Sequence, residues 1–160
     1  MNDFKFSAAY LAAILGANLG FSYLPMIALP GGQMLAPMSF VVGAVFVLRD
    51  LAQRELGHRV LLVMGVGLLA SYIMADPFVA IASAVAFAIS ELADWLVYTL
   101  TKKPLAQRIL ISSVVGTPLD SAVFMLVAGF FSWPGLLIMT ASKMVAALAV
   151  YAYYRRGSHA

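Results

Sequence analysis

Two isolated charges interrupt apolar runs in the C-terminal third of the sequence: Asp120 in GTPLDSAVF and Lys143 in TASKMVAAL. A carboxylate or an ammonium at the centre of a lipid-spanning helix costs on the order of 3 kcal/mol by insertion scales. Such a residue persists where it faces the interior of a helix bundle, pairs with an opposite charge, or lines a wet cavity. The runs that hold the two charges, 109–131 and 134–154, are joined by a very short link, so antiparallel packing can bring Asp120 and Lys143 together. A pair of this kind either fixes packing alone or serves a polar solute or a proton. Desolvation offsets much of the Coulombic gain of a buried pair, which favours the functional account.

Glu91 and Asp94 stand three positions apart in ELAD and therefore share one helical face, with Trp95 adjacent and Tyr98 on nearly the same face. Two carboxylates offer oxygens to ring N–H and amino groups while an aromatic ring stacks on a flat solute. Their mutual repulsion also suits one of them to carry a proton. The alternative for Asp94, about two turns from Lys102, is a simple approach to the membrane interface. Upstream, RDLAQRELG places Asp50 and Arg54 four apart, a spacing at which they pair on a helix surface, and Gly57 fits a helix terminus. The same segment also reads as an ordinary interfacial helix end, with His58 in solvent. Gly116-Thr117-Pro118, just before Asp120, is expected to break its helix and free backbone groups, as broken helices do in many transport sites. Asn18 and Ser22 add hydrogen-bonding capacity to the first apolar run.

The sequence holds no G-x-x-x-x-G-K-[ST] loop for ATP and no H-E-x-x-H or comparable metal spacing; it has two His and no Cys. Ser142 and Lys143 are adjacent, hence about 100° apart around a helix, which argues against a Ser–Lys dyad. No catalytic group, cofactor or metal is expected, and the chain reads as a non-enzyme.

These polar groups need a membrane-embedded bundle to position them. The 160 residues are 63% hydrophobic and 11% charged, with mean hydropathy +0.95, whereas soluble domains carry about 25% charged residues. The reading is an all-α polytopic membrane protein, one helical domain over 1–160, with six transmembrane helices at about 6–24, 35–51, 60–75, 77–100, 109–131 and 134–154. Pro and Gly in PMIALPGGQ, ADP and SWPG end the helices they join. Nine of the ten Lys and Arg fall on one side: Lys5; Arg49, Arg54 and Arg59; Lys102, Lys103 and Arg108; Arg155 and Arg156. The positive-inside rule then puts both termini in the cytoplasm. The net charge of +3 is on this reading a juxtamembrane feature, and no nucleic-acid partner is expected. MNDFKFSAAYLAAILGANLG reads as a retained first span. Within it Ala8, Ala12, Gly16 and Gly20 recur every four residues, a stripe that packs inside the bundle or docks another subunit.

Taken in order, several motifs resemble the queuosine-precursor transporter family, also called the vitamin uptake transporters. They are Asp50-x-x-x-Arg54-x-x-Gly57 after a Ser-Phe span start, Glu91-x-x-Asp94, Gly116-Thr117-x-x-Asp120-Ser121 and the lone Lys143. The resemblance covers the second to the sixth run. It implies an importer in the bacterial inner membrane that salvages 7-deazaguanine bases such as 7-cyano-7-deazaguanine, precursors of queuosine in tRNA. It also implies that Asp50, Arg54, Glu91, Asp94, Asp120 and Lys143 form the polar site or its gates. Thr117 would stand beside them, with Trp95, Phe87 or Phe124 offering a flat face to the base. A deazaguanine presents N–H and amino donors to a carboxylate and a carbonyl to a lysine. Family members often carry Gln where this chain has Glu91 and Asn where it has Thr117, departures that bear on substrate choice or proton coupling.

A secondary transporter with a midplane site is the leading expectation. The alternative is a substrate-binding subunit that needs a partner ATPase, as in energy-coupling-factor importers; a non-transport assembly protein is a third. The expected partners are a purine-like small molecule, the lipid bilayer, and either further copies of the chain or a partner transport module.

Overall fold

Lipid offers a backbone no hydrogen-bond partner, so apolar runs satisfy their own N–H and C=O groups by coiling into helices. The computed structural model describes residues 4–30, 32–74 and 80–157. It contains six α-helices: α1 (Lys5–Tyr23), α2 (Met38–Leu56), α3 (Val60–Met74), α4 (Ala80–Leu100), α5 (Leu105–Val127) and α6 (Trp133–Gly157). A 3₁₀ turn, Gly57–Arg59, links α2 to α3. Gly57 opens that turn at φ +59°, where a Cβ is disfavoured.

Five stretches are long and apolar enough to cross a membrane, because α2, the 3₁₀ turn and α3 count as one 37-residue run, Met38–Met74. The described part of α3 alone, 15 residues, is about 22 Å long, shorter than the hydrocarbon core of about 30 Å. Residues 75–79, with most of the ADP link, lie outside the described residues.

Three expectations need correction. First, α2 starts at Met38 rather than 35, because Ile27–Ala28 (β1) and Met34–Leu35 (β2) pair antiparallel in a short hairpin before it. Turn-rich LPGGQ joins these strands, and they are too short to leave a periodic signal. Second, α5 covers 105–127 rather than 109–131: Pro104 stands before its first turn and Gly129, at φ +79°, follows its last. Third, α5 runs unbroken through Pro118. The Thr117 and Ser121 hydroxyls donate to the carbonyls of Ser113 and Thr117 at 2.8 and 3.0 Å, adding local bonds around the turn that lacks the Pro118 N–H.

Helix α2 is the hub. It touches all five other helices, while α1 packs on α3, α3 on α4, α4 on α5 and α5 on α6. Glycine permits the closest approaches: Gly43 meets the backbone of Lys143 on α6, and Gly116 of α5 meets Asp94 and Phe46. One apolar cluster, built on Tyr10, Ile14, Val45 and Met64, joins α1, α2 and α3. A second, built on Val47, Leu51, Tyr98, Ile109 and Ala147, joins α2, α4, α5 and α6. The interior face of α1 is Ser7, Tyr10, Ile14 and Ala17. Ala8, Ala12 and Gly16 of the small-residue stripe instead face outward, so the stripe is not an interior packing seam; only Gly20 turns in, against Met38.

Charged side chains tie helix termini together at one end of the bundle. Glu55, in the last turn of α2, accepts hydrogen bonds from the Phe6 and Ser7 amides, each at 3.0 Å, and from the Ser7 hydroxyl at 2.9 Å. A carboxylate from another helix thus caps α1. Arg108, near the start of α5, donates to the Tyr98 carbonyl at 3.2 and 3.0 Å and lies 3.9 Å over the Tyr98 ring, near the end of α4. Lys5, Arg54, Arg59 and Lys102 belong to the same helix ends.

Candidate functional site

Arg49 is fully buried on α2, the twelfth residue of a helix whose preceding eleven are uncharged, and three carboxyls surround it. Its Nη1 donates to Gln53 Oε1 at 2.8 Å. Its Nη2 bonds directly to the Asp94 carboxylate and lies 2.8 Å from Asp50 Oδ1. Its Nε is 3.6 Å from Glu91 Oε2. Around this centre, Ser112 of α5 donates to Asp50 Oδ2 at 2.6 Å and Tyr10 of α1 donates to Glu91 Oε2 at 3.0 Å. Gln53 donates to Thr99 Oγ1 at 2.7 Å. One guanidinium therefore organises side chains from α1, α2, α4 and α5.

A second centre joins α4, α5 and α6. Lys143 Nζ lies 2.5 Å from Asp120 Oδ2 and 2.9 Å from Ser121 Oγ. The Ser90 hydroxyl donates to Asp120 Oδ1 at 3.1 Å. The Asp120 side chain is 15% exposed, against 3% for Lys143, so the carboxylate is the more accessible member of the pair. Ser90 and Glu91 are consecutive on α4, so one turn of helix serves both centres.

The two centres are stacked along the bundle. Arg49 stands seven positions before the end of α2, about 10 Å from the basic end. Asp120 stands seven positions before Val127 and fifteen after Leu105, which moves it off the centre of α5 and toward the opposite end. Its expected central position followed from the range 109–131, which the helix does not adopt.

The sequence-predicted residues divide accordingly. Asp50, Glu91 and Asp94 meet at Arg49, and Asp120 meets Lys143. Thr117 is buried on α5 with its hydroxyl bonded to its own helix, next to the Gly116 that accommodates Asp94. Arg54 is exposed and stands apart from the cluster; the expected Asp50–Arg54 pair is replaced by Asp50–Arg49. Trp95 packs edge-on with His58, ring centroids 5.7 Å apart, beside the α1–α2–α3 core. Phe124 packs edge-on with Phe130, also at 5.7 Å. Neither ring stacks over a charged centre.

Sequence reasoning missed Arg49, Tyr10, Ser90, Ser112 and Gln53. Its place near the end of α2 groups Arg49 with the interfacial basic residues, yet it is fully buried and is no juxtamembrane anchor. The available signal was the Arg49–Gln53 spacing of four, which places a second polar group on the same helix face.

Formal charges in the two centres do not balance. Lys143 and Asp120 cancel, whereas one guanidinium faces Asp50, Glu91 and Asp94, a surplus of two negative charges if all are ionised. In a low-dielectric interior such a surplus is offset by bound protons or by donor groups of a solute. Among the described residues no group of His, Cys, Asp or Glu is arranged to hold a metal ion.

Residues 34–154, from β2 through most of α6, match the family described as "Putative vitamin uptake transporter". No curated protein and no solved structure matches the chain.

Proposed function

Since the chain belongs to the vitamin uptake transporter family, we propose that it imports a queuosine precursor, a purine-like base of the 7-deazaguanine class, as a secondary transporter. The membrane is the bacterial inner membrane, crossed six times, with the basic helix ends and both termini in the cytoplasm.

The observation that carries this reading is the Asp120–Lys143 pair with Ser90 and Ser121 around it. A carboxylate and an ammonium side by side offer complementary partners to a deazaguanine edge: Asp120 accepts from the ring N–H and exocyclic amine, and Lys143 donates to the carbonyl. Both charges then exchange one partner for another rather than losing one, which limits the desolvation cost of binding. The Arg49 centre, nearer the basic end, acts as the inner gate. Its salt bridges hold α2 to α4, and they separate when the site opens to the cytoplasm.

The test is a salvage assay. The chain is expressed in bacteria that neither make queuosine nor import its precursors, 7-cyano-7-deazaguanine is supplied at low concentration, and queuosine is measured in tRNA. Restored modification that is lost in Asp120→Asn, at equal membrane level, supports the reading. Failure to restore modification despite good membrane expression counts against it. It shifts attention to a different substrate or to a partner-dependent subunit, for which the outward-facing Ala8, Ala12 and Gly16 offer a close-packing surface.

A further inference from the structure

Among the described residues, four acids and two cations lie inside the bundle, and their pairing is uneven. Asp120 has Lys143 Nζ at 2.5 Å, Asp50 has Arg49 Nη2 at 2.8 Å, and Asp94 touches the same Nη2 directly. Glu91 alone lacks a cationic nitrogen at hydrogen-bonding distance: Arg49 Nε is 3.6 Å away, and its one hydrogen bond comes from a neutral group, the Tyr10 hydroxyl. Its side chain is nevertheless only 2% exposed. A buried carboxylate without a close cation is the costliest member of such a network. The surplus negative charge therefore bears most heavily on Glu91.

The groups around it come from every neighbouring helix. Tyr10 belongs to α1, Arg49 and Asp50 to α2, Asp94 to the next turn of α4, Asp120 to α5 and Lys143 to α6. The described residues of α3 carry no charged side chain.

Resting on the import reading above, we propose that Glu91 is the proton-binding site of this transporter and that a proton is its co-substrate. One proton from the outer face binds the Glu91 carboxylate, crosses with one neutral base, and leaves to the cytoplasm. Only an O–H bond forms and breaks; each cycle carries one positive charge inward, so the driving force is the pH difference together with the membrane potential. With the proton on Oε1, Oε2 still accepts from Tyr10, and the surplus of the Arg49 centre falls from two negative charges to one. Coupling to the base runs through α4: Ser90, which holds Asp120, is the residue before Glu91.

Two measurements test this, on the purified full chain. In proteoliposomes with 7-cyano-7-deazaguanine as probe and the membrane potential clamped at zero by potassium and valinomycin, one proton per base gives up to about tenfold accumulation for each unit of pH difference, acid outside. Glu91→Gln, uncharged at every pH, is expected to lose that accumulation while still exchanging labelled for unlabelled base. Wild-type accumulation that ignores the gradient overturns the proposal and leaves the import reading standing. So does a Glu91→Gln variant that still concentrates the base. Loss of exchange as well, in a folded variant, assigns Glu91 to the base instead of the proton. Protonation is also read without substrate, by infrared titration in nanodiscs. The carbonyl stretch of a protonated acid is expected in wild type, titrating within the range where the protein stays folded, and missing from Glu91→Gln. If that band is present but no 7-deazaguanine moves, the proton site stands and the import reading fails. If wild type and Glu91→Gln give the same carboxyl titration, the proton site is excluded.

Discussion

Gly43 of α2 lies so close to Lys143 of α6 that a Cβ at position 43 would collide with the Lys143 carbonyl. The two backbones meet at the level of the buried ammonium, so the Asp120–Lys143 geometry depends on how near α6 can come to α2. Gly43→Ala must push α6 outward. The expected cost is about 1–3 kcal/mol, the usual range for overpacking, with a matching loss of uptake. Gly65→Ala on the exposed face of α3, where a Cβ meets nothing, is the comparison and is expected to be neutral or to gain up to about 1 kcal/mol from helix propensity. Thermal unfolding in detergent, read beside uptake, checks both. A Gly43→Ala protein as stable and active as wild type would show that the contact does not position Lys143.

Asp120→Asn removes one partner of an ion pair whose other member is 3% exposed. Stranding a buried cation costs about 3–5 kcal/mol; the partial exposure of Asp120 puts the expected loss at the low end. Asp120→Asn with Lys143→Met removes both charges and is expected to regain most of the stability. Transport should stay lost in both. The double variant separates a site residue from a packing residue, because a pair that served only the fold would regain transport together with stability.

Arg49 and Arg54 stand five positions apart, and the structure assigns them opposite weights. Arg49 is buried among three carboxyls, whereas Arg54 is exposed. Arg49→Leu leaves those carboxyls without their cation and is expected to abolish the folded protein in membranes. Arg49→Lys should rescue little, since an ammonium cannot reproduce the fork that reaches Gln53, Asp94 and Asp50 together. Arg54→Ala should change stability by less than about 0.5 kcal/mol. Fluorescence-detected size exclusion of the three variants decides it, and an aggregating Arg54→Ala would reverse the assignment.

Much of this was readable in the sequence because lipid penalises a lone charge heavily enough to make each one informative. Asp120, Lys143, Glu91 and Asp94 stood out on that ground, and the short SWPG link correctly implied that α5 and α6 pack together. The limits were physical too. A helix that is apolar all round gives no rotational signal, so neither the outward turn of Ala8, Ala12 and Gly16 nor the edge-on engagement of Trp95 and Phe124 with their own neighbours was foreseeable. Arg49 was misplaced because adjacent charges near a helix end look interfacial. Only the approach of α4 and α5 to α2 shows that Arg49 and Asp50 both face inward. The continuity of α5 through Pro118 was missed because Pro argues against a helix locally, while close packing on α4 and α6 holds it together.

The capping of α1 by Glu55 had no sequence signal, since the two partners are 48 and 49 residues apart. It yields a prediction that starts outside the charged centres. The Phe6 and Ser7 amides are first-turn donors without helical acceptors, and Glu55 satisfies both. Glu55→Ala is expected to cost about 0.5–2 kcal/mol, the range for loss of an N-cap. The effect should be local, with faster amide hydrogen exchange in the first turn of α1 and little change in α4 or α5. Glu55→Gln keeps one acceptor oxygen and should fall between wild type and Glu55→Ala. Because Glu55 lies on the last turn of α2, the cap also fixes α1, and with it Tyr10, against the helix that carries Arg49. A loosened α1 should therefore weaken the Tyr10–Glu91 hydrogen bond, visible as a shift in the Tyr10 ring-stretch frequency. Unchanged exchange in the first turn of α1 would mean that neighbouring packing, rather than the carboxylate, holds that end of the bundle.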